Sequence, residues 1–178
     1  MNLPNKLTIL RVILVPVFVV FMLVPIFGTA DRYIALAIFI VASLTDTLDG
    51  QIARRCNLVT NFGKFADPLA DKLLVSSALL CMCGNEIPIW VVIIIIARDY
   101  IINGLRLIAS DKGVVIAADW WGKMKTVCQM VMIIVLLLDI KLAFFEILGQ
   151  ILIYLSVALT IISLVDYIIK NKGVLEDE

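Results

Sequence analysis

The sequence predicts an all-α integral membrane protein with six transmembrane helices. Hydrophobic residues make up 62% of the 178 residues, and the mean hydropathy of +1.07 is far above that of soluble globular domains. A helix needs about 20 mostly apolar residues to cross a bilayer. Six stretches meet this requirement: Leu7–Phe27, Tyr33–Ala53, Lys64–Cys83, Pro88–Leu107, Trp121–Leu138 and Phe144–Ile169. We see no linker or internal repeat, so we expect one membrane domain over residues 1–178.

Local signals support the ends of several helices. The residues from Asn2 to Thr8 predict a short interfacial segment, with a possible helix start just before Pro4. Gly84 and Asn85 predict a turn, and Pro88 suits the start of the fourth helix.

The start of the third helix has two interpretations. Pro68 either opens the helix, with Asp67 as its cap, or kinks a helix that begins near Asn61.

Further along the chain, Trp120 and Trp121 open the fifth helix and suit a membrane interface.

The basic residues indicate the orientation of the chain. With the N-terminus in the cytoplasm, only Arg32 and Lys141 of the 15 basic residues fall on the outer side. Cytoplasmic segments of membrane proteins are enriched in lysine and arginine. We therefore expect both termini to be cytoplasmic in a multi-pass protein of the cell membrane.

Four aspartates interrupt the apolar stretches at the cytoplasmic ends of the second and third helices. Asp46 and Asp49 share a helix face with Gly50, and Asp67 lies one turn from Asp71, because a helix has about 3.6 residues per turn. Carboxylates are costly in a bilayer, and four that converge repel each other unless cations bind among them. The chain has no histidine, so the ligands of a metal at this position must be oxygen atoms. The pattern predicts Mg²⁺ or Mn²⁺, two per site, and phosphate chemistry.

Small and basic residues beside these aspartates suit a nucleotide. Gly50, Ala53 and Gly63 have little or no side chain, so a nucleotide can approach the helix backbone, and Arg54 can bind a phosphate oxygen. We expect these four residues, with Asp49, to bind the nucleotide part of a substrate. For any one of these aspartates taken alone, the alternative to metal binding is a structural role, as a helix cap or as the partner of a nearby lysine.

This segment resembles the signature of the CDP-alcohol phosphotransferase family. The signature reads D-x-x-D-G-x-x-A-R, eight residues, then G-x-x-x-D-x-x-x-D, and residues 46–71 match every fixed position. The resemblance implies a six-helix, usually dimeric membrane enzyme that uses a CDP-linked donor. It also implies that Asp46, Asp49 and Asp67 bind metals, and that Asp71 both binds a metal and is the catalytic base for the acceptor alcohol.

Three further segments resemble family members that use glycerol 3-phosphate as the acceptor. They are Asn2–Arg11, Arg98–Arg106 and Gly122–Thr126, and the departure is Asp99, where glutamate is usual. The resemblance implies transfer of a phosphatidyl group from CDP-diacylglycerol to glycerol 3-phosphate. The expected partners are these substrates, the bilayer and a second copy of the chain, with no nucleic acid.

Glycerol 3-phosphate carries a phosphate, so its pocket needs cations beyond those that serve the donor. Arg98 and Arg106 lie towards the end of the fourth helix, and Lys123 and Lys125 open the fifth. We expect these four residues to form an anion site beside the aspartates. The alternative is that they are cytoplasmic charges without a substrate role, with side chains that extend to the interface.

Two other functions stay open at this point. A family member can use a different acceptor, such as inositol phosphate, serine or phosphatidylglycerol. A cation-coupled transporter can also carry intramembrane carboxylates, although transporters often show repeated halves and charges near the midplane. The spacing of Cys56, Cys81, Cys83 and Cys128 matches no zinc or redox motif.

Overall fold

The computed structural model describes residues 3–55, 61–111 and 120–172. Within these ranges it describes the side chains except those of residues 3–6, 46–55, 61–69, 71, 107, 110 and 111. The described residues form six helices: α1 (Leu3–Leu23), α2 (Ala30–Arg55), α3 (Asn61–Cys81), α4 (Ile89–Asp111), α5 (Trp120–Leu138) and α6 (Ala143–Lys170). The all-α class is confirmed, and each helix overlaps one of the six predicted stretches.

Helix α1 begins and ends earlier than the apolar pattern predicts. The predicted interfacial segment is the first part of α1, which starts at Leu3, so Pro4 lies in the first turn, where its missing N–H costs no helical hydrogen bond. The helix ends at Leu23 rather than Phe27. Pro25 is the second residue after this end, and Gly28 has a φ of 70°, a left-handed conformation that glycine adopts without strain.

The structure decides between the two starts proposed for the third helix. Helix α3 begins at Asn61 and continues through Pro68 to Cys81. Asp67 is therefore a residue inside a helix rather than its cap.

The predicted turn before the fourth helix is also present. Gly84 has a φ of 83°, and its N–H donates to the carbonyl of Ile87 at 2.9 Å. Helix α4 starts at Ile89, directly after Pro88, and continues to Asp111, beyond the predicted end at Leu107.

The contacts group the chain into two compact units. The first unit is Met1–Met82 with Leu136–Asp139, and in it α1 packs against α2 and α3. Its core includes Phe18 and Phe39, whose ring centroids are 6.1 Å apart. The second unit is Cys83–Val135 with Ile140–Glu178, and in it α4 packs against α6.

Two of the described helices are long and apolar enough to cross a membrane by themselves. They are α5, with 19 residues, and α6, with 28 residues. Helix α6 also exposes a wide apolar surface, which suits contact with lipid: Phe144, Ile147, Ile151, Tyr154, Leu155, Ile161, Ile162 and Val165. Helix α4 carries Arg98, Asp99 and Arg106 among its apolar residues. The structure is compatible with a membrane protein.

A buried carboxylate holds the connection between α1 and α2. Asp31 is 5% exposed and accepts hydrogen bonds from the backbone N–H groups of Ile26, at 2.8 Å, and Phe27, at 2.9 and 3.0 Å. The next residue, Arg32, donates to the carbonyls of Leu136, at 2.6 Å, and Leu137, at 3.2 Å. These bonds satisfy carbonyls at the end of α5 that lack partners within the helix.

We predict that Asp31→Ala lowers the stability of the protein by about 1–3 kcal/mol, because it leaves two part-buried backbone N–H groups without their acceptor. Thermal unfolding of the purified protein in detergent measures the change. The control is Asp166→Ala, which removes an exposed pair with Lys170 at 2.7 Å and should cost less than about 1 kcal/mol. Equal effects of the two substitutions would show that the Asp31 contacts do not hold the connection.

Candidate functional site

The backbone places the four aspartates on two helices of the first unit. Helix α2 carries Asp46 and Asp49, helix α3 carries Asp67 and Asp71, and α2 contacts α3. Because both segments are helical, the members of each pair lie within about one turn of each other, as the spacing predicts. The convergence of the two pairs stays a prediction, since these four side chains lie outside the described residues.

The predicted nucleotide-binding residues also lie on helices whose backbone is described. Gly50, Ala53 and Arg54 lie on α2, and Gly63 lies in the first turn of α3. All four residues therefore have a helical backbone. What they contact lies outside the described part of the chain.

The chemistry of the donor set fits a hard divalent cation. No histidine occurs in the sequence, and the side chains that the structure describes include no group of three or more metal-binding residues. The aspartates of α2 and α3 are therefore the candidates for holding a metal. Carboxylate oxygens are the ligands that Mg²⁺ and Mn²⁺ favour.

A buried arginine lies in the same unit and was not predicted as a site residue. Arg11 of α1 is fully buried, and Thr8, one turn earlier, is 1% exposed. In the sequence, Arg11 is one of the predicted cytoplasmic charges and the last residue of the segment Asn2–Arg11 that resembles family members. The signal that could have found it is the cost of burying a charge inside an apolar stretch, since Arg11 follows Ile9 and Leu10 directly.

In the second unit, the structure brings together two of the four predicted anion-binding residues. Arg98 of α4 and Lys125 of α5 both donate to the same oxygen of Asp99, Oδ1. The Arg98 Nη1 atom is 3.0 Å from this oxygen, and the Lys125 Nζ atom is 2.5 Å from it. All three residues are buried, with Lys125 at 0% and the other two at 8% exposure. We call them the Arg98–Asp99–Lys125 cluster.

Helix α6 supplies the next contact to this cluster. The Arg98 Nε atom donates to the hydroxyl of Ser163 at 3.1 Å, and that hydroxyl donates to the carbonyl of Thr160 at 3.0 Å. Thr160 and Ser156 are also buried, so α6 presents a polar stripe in the core of the second unit. In membrane helices, such serine and threonine side chains form hydrogen bonds with neighbouring helices.

Gly122 of α5 leaves space for the arginine. A Cβ atom at this position would lie 3.3 Å from Nη2 of Arg98, which is closer than an ordinary contact. Within the described part of the chain, Arg98 donates through Nε and Nη1. A side chain larger than glycine at position 122 would therefore crowd the guanidinium.

No described contact joins the other two predicted anion-binding residues to the cluster. Arg106 is exposed, and its guanidinium lies 5.7 Å from the ring centroid of Tyr167. Lys123 is also exposed. The position of all four residues beside the aspartates stays a prediction.

Buried polar atoms of Gln129 and Tyr167, both in the second unit, have no hydrogen-bond partner among the described residues. They are Nε2 of Gln129, one turn after Lys125, and the hydroxyl of Tyr167, one turn after Ser163. A buried polar group without a partner is costly, and its need for a partner can be met by a water molecule or a ligand. These atoms extend the polar core of the second unit beyond the cluster.

Comparisons with known proteins agree with the signature. Residues 1–162 match the profile of the family described as CDP-alcohol phosphatidyltransferase. A Bacillus subtilis protein named CDP-diacylglycerol–glycerol-3-phosphate 3-phosphatidyltransferase is 42% identical to the chain, over 96% of the chain and 95% of that protein. Proteins with the same name are 40% identical in Haemophilus influenzae, over 99% and 96%, and 37% identical in Rickettsia typhi, over 91% and 92%.

Proposed function

Because the chain belongs to the CDP-alcohol phosphatidyltransferase family, we propose that it transfers a phosphatidyl group from CDP-diacylglycerol to glycerol 3-phosphate. The products are phosphatidylglycerophosphate, a precursor of phosphatidylglycerol, and CMP. The observation that carries this proposal is the similarity of nearly the whole chain to relatives named for this reaction. Such similarity covers the acceptor-binding part of the chain as well as the signature.

We also propose a cellular location and a membrane topology. The chain crosses the cell membrane six times, with both termini and the active site on the cytoplasmic side. The asymmetric distribution of basic residues supports this orientation. The acyl chains of the donor stay in the bilayer, and the resemblance to the family supports a homodimer.

We propose that Asp46, Asp49, Asp67 and Asp71 hold two Mg²⁺ or Mn²⁺ ions. When bound, the ions supply positive charge that stabilises the reacting phosphates and the leaving CMP. The absence of histidine and the helical spacing of the carboxylates support this ligand set.

The remaining signature residues bind the donor. Gly50, Ala53 and Gly63 allow the nucleotide to lie close to the helix backbone, and Arg54 donates to a phosphate oxygen. Asp49 contributes to the same site. Together they hold the CDP group while the lipid part remains among apolar side chains.

Transfer is a substitution at the phosphorus atom that carries diacylglycerol. The carboxylate of Asp71 takes the proton of the glycerol 3-phosphate hydroxyl, and the hydroxyl oxygen forms a new bond to phosphorus. The bond between this phosphorus and the oxygen of CMP breaks, and its electron pair leaves with CMP. The residues of this chain position the hydroxyl, accept its proton and bind both phosphate groups.

Arg98 and Lys125 bind the phosphate of the acceptor, with Arg106 and Lys123 as further basic residues of the site. The burial of Arg98 and Lys125 supports this role, because a charge that only determines topology needs no place in the core. The stacking of Arg106 on Tyr167 leaves the edge of its guanidinium able to donate.

An acceptor panel tests the proposed function. Purified protein is incubated with CDP-diacylglycerol and, in turn, glycerol 3-phosphate, inositol phosphate, serine and phosphatidylglycerol, and both CMP and the lipid product are measured. We expect CMP release with glycerol 3-phosphate above the other acceptors. A better acceptor among the others would keep the family and change the substrate, whereas ion flux in vesicles without CMP release would indicate a transporter.

We predict that Asp71→Asn lowers turnover by about 10²–10⁴-fold, because the amide keeps the shape of the side chain but cannot accept the proton. CMP release is measured over a range of metal concentrations, so that a loss of metal affinity is separated from the loss of the base. Binding of CDP-diacylglycerol should change much less. Asp166→Asn, at an exposed pair, is the control, and normal turnover of folded Asp71→Asn would contradict the assigned role.

We predict that activity requires Mg²⁺ or Mn²⁺. A chelator should abolish CMP release, and added Mg²⁺ or Mn²⁺ should restore it, because carboxylate pairs on neighbouring helices bind substrate phosphates through hard cations. Metal analysis of the chelated protein confirms removal. Full activity of the metal-free protein would refute the proposed ligand set.

We predict that Arg98→Ala and Arg106→Ala raise the KM for glycerol 3-phosphate more than the KM for CDP-diacylglycerol. Loss of one charge-assisted contact to a phosphate should cost about 1.5–3 kcal/mol. Steady-state kinetics with each substrate varied in turn measure both constants. Lys170→Ala, at an exposed pair on α6, is the control, and an unchanged acceptor constant would show that the substituted arginine has no part in the site.

A further inference from the structure

We propose that Asp99 is a positioning residue that orients Arg98 and Lys125 towards the phosphate of the acceptor. This inference rests on the proposed function, since it assigns the two cations to glycerol 3-phosphate.

One oxygen atom of Asp99 accepts hydrogen bonds from both cations. Arg98 Nη1, at 3.0 Å, and Lys125 Nζ, at 2.5 Å, both donate to Oδ1 of Asp99. A single acceptor atom therefore holds the cationic groups of two helices, α4 and α5, close to each other. Loss of that atom would remove the described contact that joins them.

Helix geometry does not by itself produce the contact between Arg98 and Asp99. Side chains at neighbouring positions of a helix point in different directions, about 100° apart, and do not normally face each other. Arg98 and Asp99 are neighbours on α4 and are nevertheless hydrogen-bonded. The guanidinium is also held by Ser163 through Nε and lies against Gly122 at Nη2. Its orientation is thus determined from three sides.

Asp99 carries a negative charge, as does the phosphate of the substrate. A carboxylate next to a phosphate-binding site repels the phosphate, so Asp99 does not attract the substrate itself. A buried ion pair is also weak evidence for stability, because the cost of desolvation offsets much of the attraction. What Asp99 can add is the placement of two donors, and a misplacement of about 1 Å can lower a rate by about 10²-fold.

The test is a set of kinetic measurements on Asp99→Ala, Arg98→Ala and the double variant. We expect Asp99→Ala to raise the KM for glycerol 3-phosphate by about tenfold or more, with a much smaller change for CDP-diacylglycerol. Asp99→Asn keeps an oxygen at the same position, so its effect should be smaller than that of alanine. If the alanine variant does not fold, Asp99→Asn replaces it in the double variant.

The double variant identifies how Asp99 acts. If Asp99 works through Arg98, adding the Asp99 substitution to Arg98→Ala should raise the acceptor KM much less than it does in the wild-type background. Asp31→Asn is the matched control, because it alters another buried carboxylate, which is 5% exposed against 8% for Asp99. We expect it to leave the acceptor KM unchanged even where it lowers thermal stability.

Three results would overturn the inference while the proposed function stands: an unchanged acceptor KM in the Asp99 variants, a lower acceptor KM, or effects of Asp99 and Arg98 that add independently. A lower KM would mean that the charge of Asp99 only opposes phosphate binding. Failure of the wild-type protein to release CMP with glycerol 3-phosphate is a separate result. It would overturn the proposed function and this inference together.

Discussion

The cost of placing a charge among apolar helices is the constraint on which the described structure depends. A charged side chain in such surroundings needs a partner, since the loss of water is not otherwise compensated. The Arg98–Asp99–Lys125 cluster meets this need inside the second unit, where Ser163 adds a further hydrogen bond. The contacts among α4, α5 and α6 in this region are therefore polar as well as apolar, which determines how these helices face each other.

The same constraint has a different result in the first unit. Asp31 is buried, but its partners are backbone N–H groups of the connection between α1 and α2. Arg32 uses its guanidinium in the opposite way and donates to backbone carbonyls. Asp31 thus satisfies N–H groups of a connection, and Arg32 satisfies carbonyls that the end of α5 leaves open, so these contacts are structural.

Phosphatidyl transfer sets clear chemical requirements, and the residues of this chain suit them. The donor and the acceptor both carry negative charge, so the enzyme needs cations for two phosphate groups. The signature contains carboxylates of the type that hold metal ions, and the second unit contains a buried arginine and a buried lysine. A chain without histidine needs another base, and a carboxylate beside the metals can serve this purpose.

The sequence by itself determined the helical class, the approximate extent of all six helices and the family. Long apolar stretches and a fixed spacing of aspartates, glycines and arginine are local properties, which a single chain segment carries without knowledge of its neighbours. The start of α1 at Leu3 and the passage of α3 through Pro68 needed the structure, because a proline suits either a helix start or a helix interior whose neighbours compensate for it. The burial of Arg11 and the pairing of Asp99 with Lys125 also needed it. These features depend on the rotation and contact of helices that are distant in sequence, and no periodicity within one helix specifies them.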